Sequence, residues 1–363
     1  MINRRLLSQF DYLLFGATVL LALIGIAGIY SAGGADGSSA YSRQMIWVAV
    51  GIAVFLVFAV IDYRLLTDHA YLFYSFGIGL LIAILLFGTE IQGNKSWIKI
   101  GGFSFQFSEI VKVFLIITLS RYLAEISNRA LTRRNLLYAL LIVGFPLALI
   151  LLQGDLGTAI LYFPIAISML LVAGMRLRVL GILALAALCL SPVGWMVLKD
   201  YQKQRILSTF DPSLDPQGIG YQTRQSQIAI GSGGVSGRGY GNGLQSQLGF
   251  VPEIHTDFIF ALLAEETGLL GGLCILALYF LLLSRLVTIA EEARDRTGIL
   301  IAAGAVGLLG SHVVVNVGMV LGIMPAVGIP LPLLSYGGSS TISMFAALGL
   351  VASVHYRRFL YST

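Results

Sequence analysis

Charge is scarce in this chain. Only 11% of its 363 residues are Asp, Glu, Lys or Arg, where soluble domains carry roughly 25%. A chain this long and this poor in ions cannot cover a water-facing surface, so lipid is the solvent it expects. Cysteine is nearly absent: Cys189 and Cys274 each sit inside an apolar run. Their spacing fits neither a metal site nor a disulfide framework, and both are expected to be buried free thiols. No internal repeat is visible, which argues against an inverted-repeat transporter. The glycine-rich run lacks the Lys-Ser/Thr of a Walker A loop and fits no Rossmann fingerprint. The net charge of +5 does not indicate nucleic acid, because the basic residues lie between apolar spans and not in one patch.

What the chain does have is apolar sequence, 57% of all residues. The runs predict about ten helices, near 11–32, 42–62, 70–88, 107–124, 136–152, 158–175, 179–198, 257–283, 299–320 and 339–356. Each is close to the length a bilayer requires. The first follows Asn3-Arg4-Arg5 and precedes small residues, as in a cleavable signal peptide, but its about 19 apolar residues exceed a signal core, so it is read as a retained span. The predicted class is an all-α integral membrane protein, a single domain over 1–363. With the N-terminus inside, the inner segments collect arginines from Arg4 and Arg5 through Arg133 and Arg134 to Arg357 and Arg358. The positive-inside rule then places both termini in the cytoplasm. Two outer loops stand out, 89–106 and, between helices 7 and 8, the long 199–256. The second carries aromatic, glutamine and glycine residues with few charges, which predicts a packed cap.

Five segments carry candidate chemistry. In Gln106–Lys112, Glu109 and Lys112 are three apart and share a helix face; the pair either fixes packing or lends Lys112 to an anionic diphosphate. Gln153-Gly154-Asp155-Leu156-Gly157-Thr158 reads as a turn and an N-cap. Ala229–Gly234, with Gly237 and Gly239 beyond it, is either a flexible linker or an anion nest. In Phe250–Phe260 a polar loop ends and a helix begins. Asp257 there either caps the helix or, desolvated by aromatic neighbours, serves as a base. Glu265 and Glu266 follow in the same helix; a packing role near an interior cavity is the favoured reading. Met324–Pro332 and Ser335–Ser340 are dense in proline, glycine and serine. Such breaks at membrane depth are tolerated where they line a cavity, and the glycines could present helix N-terminal amides to an anion.

Together these segments resemble the SEDS family, the RodA, FtsW and SpoVE proteins. The likeness rests on Gly93–Ile98, Gln106–Lys112, Gln153–Thr158, Tyr221-Gln222 with Gln225-Ser226, Ala229–Gly234, Pro252–Glu266 and Gly328–Ser340, in order along nearly the whole chain. Two positions depart from the pattern: Phe107 and Gly154 stand where the family usually has proline. Asp211-Pro212, Asp215-Pro216 and Gln245–Leu248 look closer to RodA, the elongation member, than to FtsW.

The resemblance implies a peptidoglycan glycosyltransferase in the bacterial cytoplasmic membrane. It would polymerise lipid II, with undecaprenyl diphosphate as the leaving group on the donor glycan. It implies a divalent cation, Mg²⁺ or Mn²⁺, with ligands unknown. The implied partners are a class B penicillin-binding transpeptidase and other elongation-complex membrane proteins. Asp257 corresponds to the family's essential aspartate and is the candidate general base. Lys112, then Arg205 and Arg43, are the candidate diphosphate cations. Glu109, Trp97, Gln222, Gln225, Ser232, Gly233 and Ser339 complete the candidate substrate-binding set. The rival readings are a lipid II flippase, for which Glu265 and Glu266 would be the acidic stations of a polar path, and a non-catalytic scaffold for the transpeptidase.

Overall fold

The computed structural model describes residues 10–33, 38–91, 94–100, 103–126, 131–210, 218–251 and 253–358. Ten long helices run through them: α1 (Tyr12–Ala32), α2 (Ser38–Val60), then, after a short α3 (Tyr63–Asp68), α4 (Ala70–Phe87), α5 (Phe107–Glu125), α6 (Arg133–Leu152), α7 (Leu156–Val172) and α8 (Leu177–Val197). Three helices, α9 (Asp200–Phe210), α10 (Ile219–Gly233) and α11 (Leu244–Gln247), lie in the long loop. The last three long helices are α12 (Ile259–Glu292), α13 (Arg296–Val320) and α14 (Gly338–Arg357). The ten long helices coincide with the ten predicted spans. Seven are long and apolar enough to cross a membrane by length and composition. Of the other three, α7 is short, α8 carries Pro192 and α5 carries Glu109 and Lys112.

Local sequence sets several of the helix starts. Asp11 accepts from the amide of Leu14, Thr132 from Asn135, Asp155 from Thr158 and Asp295 from Gly298, each filling an amide that the first turn leaves free. The turn Gln153-Gly154-Asp155 separates α6 from α7, with Gly154 at φ 86°. At the centre stand α13 and α14, the most buried of the spans. α14 packs along α2, and α13 packs against α7 and α12. By contrast, α8 packs closely against no other element among the described residues. Its Leu185, Leu188 and Leu190 face outward, as lipid contact requires.

Three sequence expectations need correction. The 89–106 loop is a small antiparallel sheet, β1 (Thr89–Ile91), β2 (Asn94–Ile100) and β3 (Phe103–Phe105), with Trp97 opposite Thr89 and Ile98 opposite Phe105. Cys189 and Cys274 are free but exposed. They lie on outward faces of α8 and α12, where the apolar neighbour is lipid and not protein. Ala229–Gly234 is neither linker nor nest, since it forms the end of α10. Gly233 and, beyond the helix, Gly237 serve close packing: a Cβ on Gly233 would lie 2.2 Å from the Ala264 carbonyl, and one on Gly237 2.1 Å from that of Glu266.

Those contacts explain how the long loop is held. In the first third of its length α12 breaks at Gly268, where φ is 70° and ψ −166°. The turn before the break carries the two buried acids. Glu265 accepts from the amides of Gln245 and Ser246 and from the Ser246 hydroxyl. Glu266 accepts from the Gly241 amide and from the Ser31 hydroxyl of α1. The expected packing role is therefore specific: the acids staple residues 241–246 onto α12 and α1. Asp211-Pro212, Asp215-Pro216, Gly93 and Pro252 lie outside the described residues.

Most of the ion pairs gather at the opposite end of the bundle. Arg285 meets Asp11 at 2.7 Å, Arg357 meets Asp62 at 3.0 Å and Arg64 meets Asp295 at 3.2 Å. Among the described residues, the end that carries the long loop holds few ion pairs and a large cavity.

Candidate active site

The cavity has a volume of about 570 Å³ and is lined by both polar and apolar atoms. It is formed by the start of α2 with Arg43 and Trp47, the small sheet with Trp97, helices α9 and α10 with Arg205 and Gln222, and the segments around Asp257 and Gly328. The first turn of α14, Gly338 to Ser340, completes the wall. Its cap residue Gly337 supplies no side chain. The amides of a helix N-terminus attract anions.

Asp257 sits two residues before α12. The helix is capped by Phe258 without a side-chain bond, so Asp257 is not the cap. Its carboxylate has no hydrogen bond or ion pair among the described residues, and it faces the cavity. The backbone here is a tight turn. The amides of Thr256, Asp257 and Phe258 all donate to the carbonyl of Glu253, whose φ of 54° is left-handed. The turn brings the Glu253 carboxylate near Asp257. Burial, and then the like charge of Glu253, raise the Asp257 pKa to about 7; Arg205 pulls the other way without overcoming them.

Arg205 and Arg43 are the cations of the wall. Arg205 stacks over Tyr201 at 5.8 Å, and its Nε is buried without a partner. Gly328, at φ 71°, lies between Asp257 and Arg205: a Cβ there would be 3.4 Å from Oδ2 of the acid and 3.9 Å from Nη1 of the guanidinium. Asp155 also lines the cavity but is engaged, accepting from the Thr158 hydroxyl at 2.8 Å and Gln106 Nε2 at 2.6 Å. Gln106 in turn donates its amide to Ser339 Oγ.

Of the sequence candidates, Asp257, Arg43, Trp97, Arg205, Gln222 and Ser339 meet at this cavity. Lys112 and Glu109 do not. They pair at 2.8 Å, as their spacing predicted, but the lysine is wholly buried and its Nζ also bonds His312 Nε2 at 3.0 Å. The pair sits within the bundle because its helix face turns toward α13 and α14, so Lys112 is corrected from a diphosphate ligand to an internal charge. Gln225 lies outside the cavity on α10. Ser232 holds Arg238 through its carbonyl and hydroxyl, and Gly233 packs on α12. Neither reaches the cavity. Sequence reading missed Trp47, Glu253 and Asp155 as wall residues, although Glu253 and Asp155 lay inside quoted motifs.

The family description "cell cycle protein", covering FtsW, RodA and SpoVE, matches residues 9–359. The chain is 41% identical to the peptidoglycan glycosyltransferase MrdB of Escherichia coli (strain K12), over 94% of this chain and 92% of the relative. It is 35% identical to the peptidoglycan glycosyltransferase RodA of Treponema pallidum (strain Nichols), over 97% and 98%. Among solved structures it resembles a chain of a peptidoglycan synthase complex that coordinates polymerization and crosslinking, with TM-score 0.82, 33% identity, and 96% and 98% covered. It also resembles the rod shape determining protein RodA of Thermus thermophilus, with TM-score 0.73, 30% identity, and 96% and 98% covered. By sequence and by fold along almost its full length, this chain belongs to the FtsW, RodA and SpoVE family.

Proposed function

We propose that this protein is a peptidoglycan glycosyltransferase that joins lipid II units into glycan strands at the outer face of the bacterial cytoplasmic membrane. The observation that carries the reading is an unpaired carboxylate, Asp257, facing unpaired guanidinium charge across one cavity. The acceptor is the GlcNAc 4-hydroxyl of lipid II, a poor nucleophile until its proton is removed. Asp257, with a pKa near 7, takes that proton as the oxygen bonds to the donor's MurNAc anomeric carbon. A positioned base contributes typically 10²–10⁴-fold. The bond from that carbon to the diphosphate breaks at the same centre, and undecaprenyl diphosphate leaves. Arg205, Arg43 and the α14 amides receive its negative charge, as preorganised dipoles and cations do at other leaving groups. Trp97 and Trp47 offer apolar faces to the sugar rings, and Gln222 offers a hydrogen-bonding amide.

The residues present fit a divalent cation only with help from the substrate. No group of three or more His, Cys, Asp or Glu side chains converges among the described residues. Mg²⁺, however, is commonly bound by one or two carboxylates and substrate phosphates. Glu253 is the wall carboxylate placed for this, and the ion would supply charge neutralisation at the diphosphate. In orientation, the arginine-rich end faces the cytoplasm with both termini. The partner class is a crosslinking transpeptidase, as in the synthase complex that the fold resembles.

The flippase reading loses its path, because Glu265 and Glu266 are engaged in holding the 241–246 segment. One assay separates the readings. Purified protein in detergent, given lipid II and divalent cation, is expected to yield glycan polymer with no bilayer to cross. Absence of polymer with and without a transpeptidase would return the protein to transport or scaffolding.

A further inference from the structure

Two side chains of α13 belong to none of the motifs that pointed to the site, yet both reach its wall from behind. His312 and Asn316 are wholly buried, one helical turn apart. Asn316 Nδ2 donates to the carbonyl of Asp257 at 2.8 Å and to that of Ile329 at 2.7 Å. His312 Nδ1 meets the carbonyl of Pro330 at 3.1 Å, and its Nε2 meets Lys112 Nζ at 3.0 Å. An ammonium has donors only and a carbonyl acceptors only. The ring is therefore neutral, with its proton on Nδ1. Beyond Lys112 the chain of contacts continues through Glu109 to Ser343 of α14.

The carbonyls so held are those that regular structure does not serve. No helix or strand is formed between Val320 and Gly338 among the described residues. The carbonyls of Ile329 and Pro330 accept no backbone amide there. Irregular backbone at membrane depth needs side-chain partners. Gly328, next in the chain, is the residue that separates Asp257 from Arg205.

We propose that Asn316 and His312 are positioning residues that hold the 328–330 segment and the Asp257 turn at a fixed spacing, and so set the gap between carboxylate and guanidinium; this rests on the reading of Asp257 as the base. Lys112 joins the same device, because it keeps the imidazole in the tautomer that donates to Pro330. Stability alone does not account for Asn316. Its Oδ1 is buried without a partner, which offsets part of what its two donated bonds contribute to stability. The polar group serves placement.

The test uses full-length purified protein and steady-state lipid II polymerisation. Asn316→Leu is expected to lower kcat by about 10–100-fold, the scale of a misplaced reacting group, with KM within about twofold; its thermal midpoint should fall as well, because the carbonyls of Asp257 and Ile329 lose their donor. His312→Leu is expected to show the same split. His312→Gln can still accept from Lys112 and donate to Pro330, and is expected to keep kcat within about threefold. Full kcat in Asn316→Leu would overturn the proposal. So would a His312→Gln variant as slow as His312→Leu, which would make the imidazole a proton carrier. If Asn316→Leu does not fold, the His312 pair decides alone. Failure here is separable from failure of the functional reading: an Asp257→Asn variant that polymerises normally removes the base, whereas an inactive Asp257→Asn beside a fully active Asn316→Leu removes only the positioning device.

Discussion

Asp257 and Arg205 face each other across Gly328 and do not pair. No ion pair forms between them within 4.0 Å among the described residues, and a Cβ on Gly328 would lie 3.4 Å from the acid and 3.9 Å from the guanidinium. An acid and a base that neutralised each other would leave nothing for substrate. Held apart, one can take a proton and the other can hold a phosphate.

The pH dependence follows from the direction of the Asp257 shift. A carboxylate raised to about 7 is protonated, and idle as a base, below that pH. Polymerisation is therefore expected to rise with pH through about 7. Glu253→Gln removes a like charge and should move the Asp257 midpoint down. Arg205→Gln removes an opposite charge and should move it up. Titration of the Asp257 carboxyl in the cation-free protein checks both directions, since a cation held at Glu253 would offset its charge. Stability runs the other way. With the folded pKa above the unfolded value near 4, ionising Asp257 costs the native state progressively as pH rises from about 4 through about 7. Asp257→Asn should then unfold at or above the wild-type temperature at pH 8.

Gly328→Ala should damage catalysis more than folding. The residue has φ 71°, where a side chain costs roughly 1–2 kcal/mol. The added methyl would touch the Asp257 carboxylate at 3.4 Å. A fall in kcat with a modest fall in thermal midpoint is expected. An unchanged kcat would show that the gap has no role.

Arg205 and Lys112 are both cations in the half of the bundle that holds the cavity, and their loss should look different. Arg205→Ala should raise KM for lipid II and weaken inhibition by inorganic diphosphate, with folding intact. Lys112→Met leaves Glu109 charged, buried and unpaired, a loss on the order of 3–5 kcal/mol. Reduced folded yield and thermal midpoint are the expected signs, measurable before any assay of activity.

This contrast shows what could be read from sequence. The spacing of Glu109 and Lys112 gave their pairing correctly, but spacing carries no information about which way a helix face turns. The ten spans were legible because lipid demands length and apolarity of each one separately. Asp257, at a loop-to-helix junction, read equally as a cap or a base from the residues alone, and only the family resemblance singled out the base. His312 and Asn316 were not legible: each is a lone polar residue in an apolar helix, and its meaning lies in carbonyls that fold back from residues 257, 329 and 330. The glycines of α10 were ambiguous for the same reason, since a glycine that binds an anion and one that lets two backbones touch look alike until the neighbour is known.

The staple formed by Glu265 offers a check on the long loop. The acid serves three donors of residues 245 and 246. Glu265→Ala would leave the amides of Gln245 and Ser246 without this acceptor, at about 1–3 kcal/mol for each buried group left without a partner, while the Ser246 hydroxyl keeps the Gly243 carbonyl. Limited proteolysis should then cut between residues 234 and 250 in the variant well before the wild type. Equal protection in the two would mean that the loop is held by other contacts.

The most direct test of the account is the product of purified Asp257→Asn given lipid II and divalent cation at pH 8. The account predicts a folded membrane protein of normal thermal midpoint that makes no glycan polymer, beside a wild type that does. Polymer formed by the variant at the wild-type rate would contradict it.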